Sequence, residues 1–73
     1  MSNRSPRKLI RDRIERNLNA ISENTRRLEE IIGTMQDVSN GSGEYIEYEA
    51  QVMLVIEVTD TYRDITQKLL DIF

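Results

Sequence analysis

Nine positions in the first half of the chain recur at alternating intervals of four and three residues: Ile10, Ile14, Asn17, Ile21, Asn24, Leu28, Ile31, Met35 and Val38. Seven are aliphatic or methionine and two are asparagine. Alternation in threes and fours keeps one stripe of a helix turned toward a partner, which is the packing seam of a coiled coil. A long helix carrying one such stripe is not stable alone, so the pattern points to association. Leu18 and Ile32 lie just off the seam. They widen the apolar stripe and favour a bundle of three or more helices over a bare two-stranded coil.

The pattern predicts a first helix over residues 6–38, after a flexible basic N-terminus at residues 1–5. Ser5 is placed to cap it, and Pro6 at the first helical position loses no helical hydrogen bond. Gly33 interrupts an otherwise good helical sequence at a cost of up to about 1 kcal/mol relative to Ala, which leaves room for a kink or a close helix contact there. The seam continues past it, so one helix of about 33 residues, about 50 Å long, is expected. Ser39-Asn40-Gly41-Ser42-Gly43 is the strong break. Asn and Gly tolerate the left-handed backbone of a tight reversal. Ser42 can cap a second helix over 44–73, with Glu44 in its first turn near the positive end of the dipole. The expected fold is all-α: a single antiparallel two-helix hairpin, coiled-coil-like, that completes a bundle with other chains.

The second segment carries two overlapping stripes. Val55, Val58, Tyr62, Ile65, Leu69 and Ile72 form one, and Tyr45, Tyr48, Val52, Val55, Tyr62, Leu69 and Phe73 the other. Val52-Met53-Leu54-Val55-Ile56 is apolar around nearly the whole circumference. One neighbouring helix cannot cover such a surface. Val52, Met53, Val55, Ile56, Val58, Tyr62, Ile65, Leu69 and Ile72 are therefore the expected partner-facing residues of the second helix. A β-strand over 52–59 is the rival reading, because short β-branched runs are ambiguous by periodicity alone. The helical spacing on both sides and the lack of a second strand favour helix.

Composition narrows the means of stabilisation. A 73-residue chain without Cys or His has no disulfide staple and lacks the commonest zinc ligands, so helix packing or oligomerisation must supply its stability. Nothing resembles an EF-hand loop, and no metal or other cofactor is expected. No apolar run approaches the roughly 20 residues that span a bilayer. The opening Met-Ser-Asn-Arg-Ser-Pro-Arg-Lys lacks the apolar core of a secretory signal. The expected location is cytoplasmic or nuclear, not secreted, so the sequons at Asn3 and Asn40 carry no glycosylation signal.

Charge is unevenly spread. Residues 1–38 carry eight basic and six acidic side chains, net +2, and residues 39–73 carry two basic and seven acidic, net −5. In a hairpin the basic cluster Arg4, Arg7, Lys8, Arg11, Arg13 and Arg16 would lie near Asp64 and Asp71, as intrachain complementarity or as a surface for an anionic partner. A sequence pI near 4.9 argues against a dedicated nucleic-acid binder.

Catalytic chemistry finds no footing. Without His or Cys the usual nucleophile–base pairs are absent, Glu29/Glu30 has the spacing of solvated helix surface, and Gly41-Ser42-Gly43 is too short for a phosphate loop. No catalytic, cofactor-binding or metal residue and no small-molecule substrate is expected. Asn17 and Asn24, one heptad apart on the seam, can fix register if they meet polar residues such as Thr59 or Thr66 of the second helix, or of another subunit. The alternative is that this end of the helix is simply solvated. Ser5-Pro6-Arg7-Lys8 matches the Ser-Pro-x-Lys pattern of cyclin-dependent kinase sites, which makes Ser5 a candidate for phosphorylation; a helix cap followed by Pro explains the same residues.

The stretch Asn24-Thr25-Arg26-Arg27-Leu28-Glu29-Glu30, followed after the break by an apolar, Tyr-containing second helix, resembles the small subunits of the DASH (Dam1) outer-kinetochore complex. That resemblance implies a helical scaffold in a multi-subunit bundle for kinetochore–microtubule attachment. The expected function is a non-enzymatic assembly subunit whose partners are other helical protein subunits. The alternative is a homodimeric four-helix-bundle regulator or interaction module that contacts nucleic acid through its basic N-terminal end.

Overall fold

The computed structural model describes residues 6–73. It consists of two helices, α1 (Pro6–Met35) and α2 (Gly43–Ile72), joined by a turn and packed side by side. The chain is an all-α antiparallel hairpin. Residues 52–59 are helical throughout, which removes the strand alternative. Their neighbours Glu47, Glu49 and Ala50 continue the same helix, and no second strand exists among the described residues.

The first helix ends three residues sooner than the seam pattern predicts. The Gln36 N–H still reaches the Ile32 carbonyl at 3.2 Å, but Asp37 and Val38 donate to Thr34 and Met35 at 3.1 Å each. The last turn thus tightens from i−4 to i−3 bonding, a common way to use the orphan carbonyls at a helix end. Val38 stays half-buried although it has left the helix. Gly41 has φ +82°, a left-handed conformation that costs any residue with a Cβ. Ser42 then sits at ψ 162° and its hydroxyl accepts from the Tyr45 N–H at 3.1 Å. Glu44 follows in the first turn of α2, as expected of the cap. At the far end the Phe73 N–H is shared between the Leu69 and Leu70 carbonyls at 3.0 and 3.3 Å.

Gly33 lies inside α1 with open space around the position of an added Cβ. It does not mark a close helix approach. The expected cap at Ser5, the basic residue Arg4 and the proposed modification of Ser5 fall outside the described residues.

Each helix turns one stripe toward the other. All nine positions from Ile10 to Val38 in the alternating run are buried or half-buried. On α2 the inward stripe is Tyr45, Tyr48, Val52, Val55, Thr59, Tyr62, Thr66 and Leu69, again at intervals of three and four. Only four of the described residues are buried: Ile14 at 7% exposure, Asn17 at 3%, Thr59 at 7% and Thr66 at 4%. Three of these four are polar, so the hairpin contains little apolar core of its own.

Candidate assembly interface

The inward stripe of α2 differs in composition from that of α1. Thr59 fills the seven-residue gap between Val55 and Tyr62, and Thr66 the gap between Tyr62 and Leu69. Counting only apolar residues leaves those gaps open; the signal is that both threonines fall at the missing step of the 3–4 alternation. At one end of the hairpin Arg7 stands over Phe73. Toward the other, Met35 and Tyr45 share a groove. In that register Asn17 lies within one helical turn of Thr66, and Asn24 within one turn of Thr59. Small polar side chains therefore stand near the two seam asparagines.

No hydrogen bond joins these asparagines to the threonines among the described residues. The Thr66 hydroxyl donates to the Tyr62 carbonyl on its own helix at 2.6 Å. Thr25, Thr34 and Thr61 do the same with Ile21, Glu30 and Glu57 at 2.8, 3.1 and 3.0 Å. Thr59 departs from that habit, and its Oγ1 is buried without a partner. An unpaired buried hydroxyl is destabilising, because it gives up its hydration for nothing.

The nine residues of α2 read as partner-facing divide between two directions. Val52, Val55, Tyr62 and Leu69 are half-buried on the stripe toward α1. Met53, Ile56, Val58, Ile65 and Ile72 are exposed by 59, 42, 42, 44 and 69%. The exposed set belongs to both broad faces of the hairpin. Residues that follow a seam position such as Asn17, Ile31, Val55 or Leu69 point to one face, which carries Leu18, Ile32, Ile56 and Leu70. Residues that precede Ile21, Leu28, Thr59 or Thr66 point to the other, which carries Ala20, Arg27, Val58 and Ile65. The grooves divide the same way: Ile32, Glu49 and Met53 line one, and Arg27, Gln51, Leu54 and Val58 line another.

Charged groups gather at the ends and along the outer ridges, and a few stand on the broad faces, Glu49 on one and Arg27 on the other. Arg7, Lys8 and Arg11 gather with Phe73 at the open end of the hairpin. Asp64 and Asp71, expected to answer this basic cluster, are engaged on their own helix: Asp64 pairs with Lys68 at 3.2 Å, and Asp71 accepts from the Gln67 amide at 3.1 Å. Lys8–Asp12 and Arg26–Glu23, both at 3.8 Å, are also intrahelical. Exposed pairs of this kind add at most about 0.5 kcal/mol each.

The chain matches no family model, no curated protein and no solved structure. Among the described residues no group of three or more His, Cys, Asp or Glu side chains could hold a metal ion. Among the described residues no helix is long and apolar enough to cross a membrane. What the geometry presents is surface: two long apolar faces on a slender hairpin with principal extents of 58 × 17 × 16 Å.

Proposed function

We propose that this chain is a non-enzymatic helical assembly subunit whose broad faces are covered by other helices. One observation carries this reading. Ile14 is the only apolar side chain that is buried among the described residues, whereas twelve large apolar side chains are exposed by 39 to 69%. Fully burying one side chain such as Leu, Ile or Met contributes about 1.5–3 kcal/mol. The hairpin alone leaves most of that stabilisation unused, and a bundle would capture it.

The finer setting suggested by the sequence is a subunit of a kinetochore–microtubule attachment complex of the DASH kind. Its support is the layout of two long helices and the Asn24–Glu30 stretch. Affinity purification of the native chain tests it: co-purifying kinetochore components support this setting, and their absence removes it. The general reading is tested by circular dichroism of the pure chain across a dilution series. The expected result is a melting temperature that rises with concentration or with an added partner. A monomer that melts cooperatively at a concentration-independent temperature would contradict it.

A further inference from the structure

We infer that the face carrying Leu18, Ile32, Ile46, Met53, Ile56 and Leu70 is the docking surface for a second copy of this chain, giving a two-fold, four-helix bundle. The inference rests on the assembly reading above and names the partner.

Two lines of residues on this face are complementary to themselves. Along α2, Glu49, Ile56 and Arg63 are seven residues apart and follow the seam positions Tyr48, Val55 and Tyr62. Along α1, Leu18, Thr25 and Ile32 are seven apart and follow Asn17, Asn24 and Ile31. A two-fold axis that lays α1 on α1 and α2 on α2, each pair antiparallel, makes residue i meet j and j meet i. With Ile56 on that axis, Arg63 of one copy meets Glu49 of the other, twice. With Thr25 on it, Leu18 meets Ile32, also twice.

Both centres fall at nearly the same height. Asn24 shares a groove with Val55 and Val58, so Thr25 and Ile56 differ by about two residues, or about 3 Å, along the hairpin. One axis therefore serves both helices. The chemistry at the centres suits burial. The Thr25 hydroxyl is already bonded to the Ile21 carbonyl at 2.8 Å and needs no further partner. Neither Glu49 nor Arg63 has an ion pair within the hairpin among the described residues, so both are available across an interface.

On the opposite face a two-fold axis through Ala20 is disfavoured. There Arg13 and Arg27 lie seven residues either side of Ala20, so laying α1 on α1 would set Arg13 against Arg27 with like charge. Size is adequate on the first face. A helix pair about 45 Å long and 17 Å across projects on the order of 750 Å², and corrugated side chains bury more than their projection, which reaches the roughly 800 Å² per partner of a stable complex.

The test is sedimentation equilibrium of the full chain with four variants, each checked for helicity by circular dichroism. The wild type is expected to be a dimer. Ile56→Glu places two carboxylates on the axis and is expected to weaken dimerisation by about 100-fold or more; Val58→Glu, on the other face, leaves it intact. Arg63→Glu is expected to weaken it about tenfold, and Glu49→Arg combined with Arg63→Glu to restore it. This pair of surface charge changes leaves the seam untouched, so it reads the interface even where Ile56→Glu impairs folding. A dimer that Val58→Glu dissociates and Ile56→Glu spares, or one that the charge swap fails to restore, overturns the assigned face while the assembly reading stands. A chain that folds only with a foreign partner overturns the second copy alone. A stable folded monomer overturns both.

Discussion

The guanidinium carbon of Arg7 lies 4.2 Å from the centroid of the Phe73 ring. This contact ties the first turn of α1 to the residue that ends α2, where the helices would otherwise fray. A cation over an exposed aromatic face contributes about 0.5–1 kcal/mol. Arg7→Ala is expected to lower the melting temperature by a few degrees and to speed amide exchange in the last turn of α2. Arg7→Lys keeps the charge but loses the flat stacking surface, and should fall between the two. Unchanged exchange near Phe73 in Arg7→Ala would show that the contact does not hold the end.

Thr59 and Thr66 differ in one respect that mutation can read. Both are buried, but the Thr66 hydroxyl has a carbonyl partner and the Thr59 hydroxyl has none. Thr59→Val replaces the orphan hydroxyl with a methyl of similar volume and is expected to stabilise by about 1 kcal/mol. Thr66→Val gives up a bonded hydroxyl and should be neutral or mildly destabilising. Thermal denaturation of the two variants side by side decides this. An equal effect in both would mean that hydrogen bonding does not distinguish them.

Gly33 is exposed in α1 with free space around it and no positive φ. Gly33→Ala therefore meets no obstacle and should stabilise by about 0.5–1 kcal/mol. Gly41→Ala should destabilise by a similar or larger amount, because φ +82° strains a residue such as Ala that carries a Cβ. The opposite signs are measurable by urea denaturation at a fixed chain concentration.

Leu28 and Ile31 are half-buried on the seam, in the part of α1 nearer the turn. Aspartate at either position puts a charge against α2, and the hairpin should lose most of its helical circular dichroism and its ability to assemble. A variant with wild-type helicity and association would contradict the assignment of the inward stripe.

Asn17 is 3% exposed, and leucine has nearly the same branched outline. Changing Asn17 and Asn24 together to Leu should raise the melting temperature by several degrees while loosening partner choice and register. The readouts are thermal melting and the range of oligomers resolved by sedimentation. A lower melting point with an unaltered oligomer would remove the register role.

The sequence made the hairpin legible because its two signals are local. The run from Ile10 to Val38 has one period throughout, and Ser39–Gly43 is the single break strong enough to end it. Ser42 and Glu44 mark the start of α2 by their chemistry alone. The inward face of α2 was harder to read, because Thr59 and Thr66 interrupt its apolar count and its outward faces are as apolar as its inner one. Val55 belongs to both stripes in the sequence, and only packing shows that Thr59, not Val58, follows it inward. The end of α1 depended on bonding at the turn, where Asp37 and Val38 reach back three residues instead of four, and periodicity carries no mark of that. The likeness of Asp64 and Asp71 to partners for the basic end failed for a local reason: a neighbour on the same helix was nearer.

The polar positions inside the hairpin bear on sliding as well as on stability. Asn17 and Asn24 are one heptad apart, and so are Thr66 and Thr59. Shifting one helix by a heptad brings one asparagine near a threonine again but carries the other to Val52 or Phe73. An amide moved from a small polar neighbour to a larger apolar one loses both room and hydration. If the asparagines set the register, the two pairs would work like a key with two teeth: either tooth alone would seat in more than one place, but both would seat together in a single alignment.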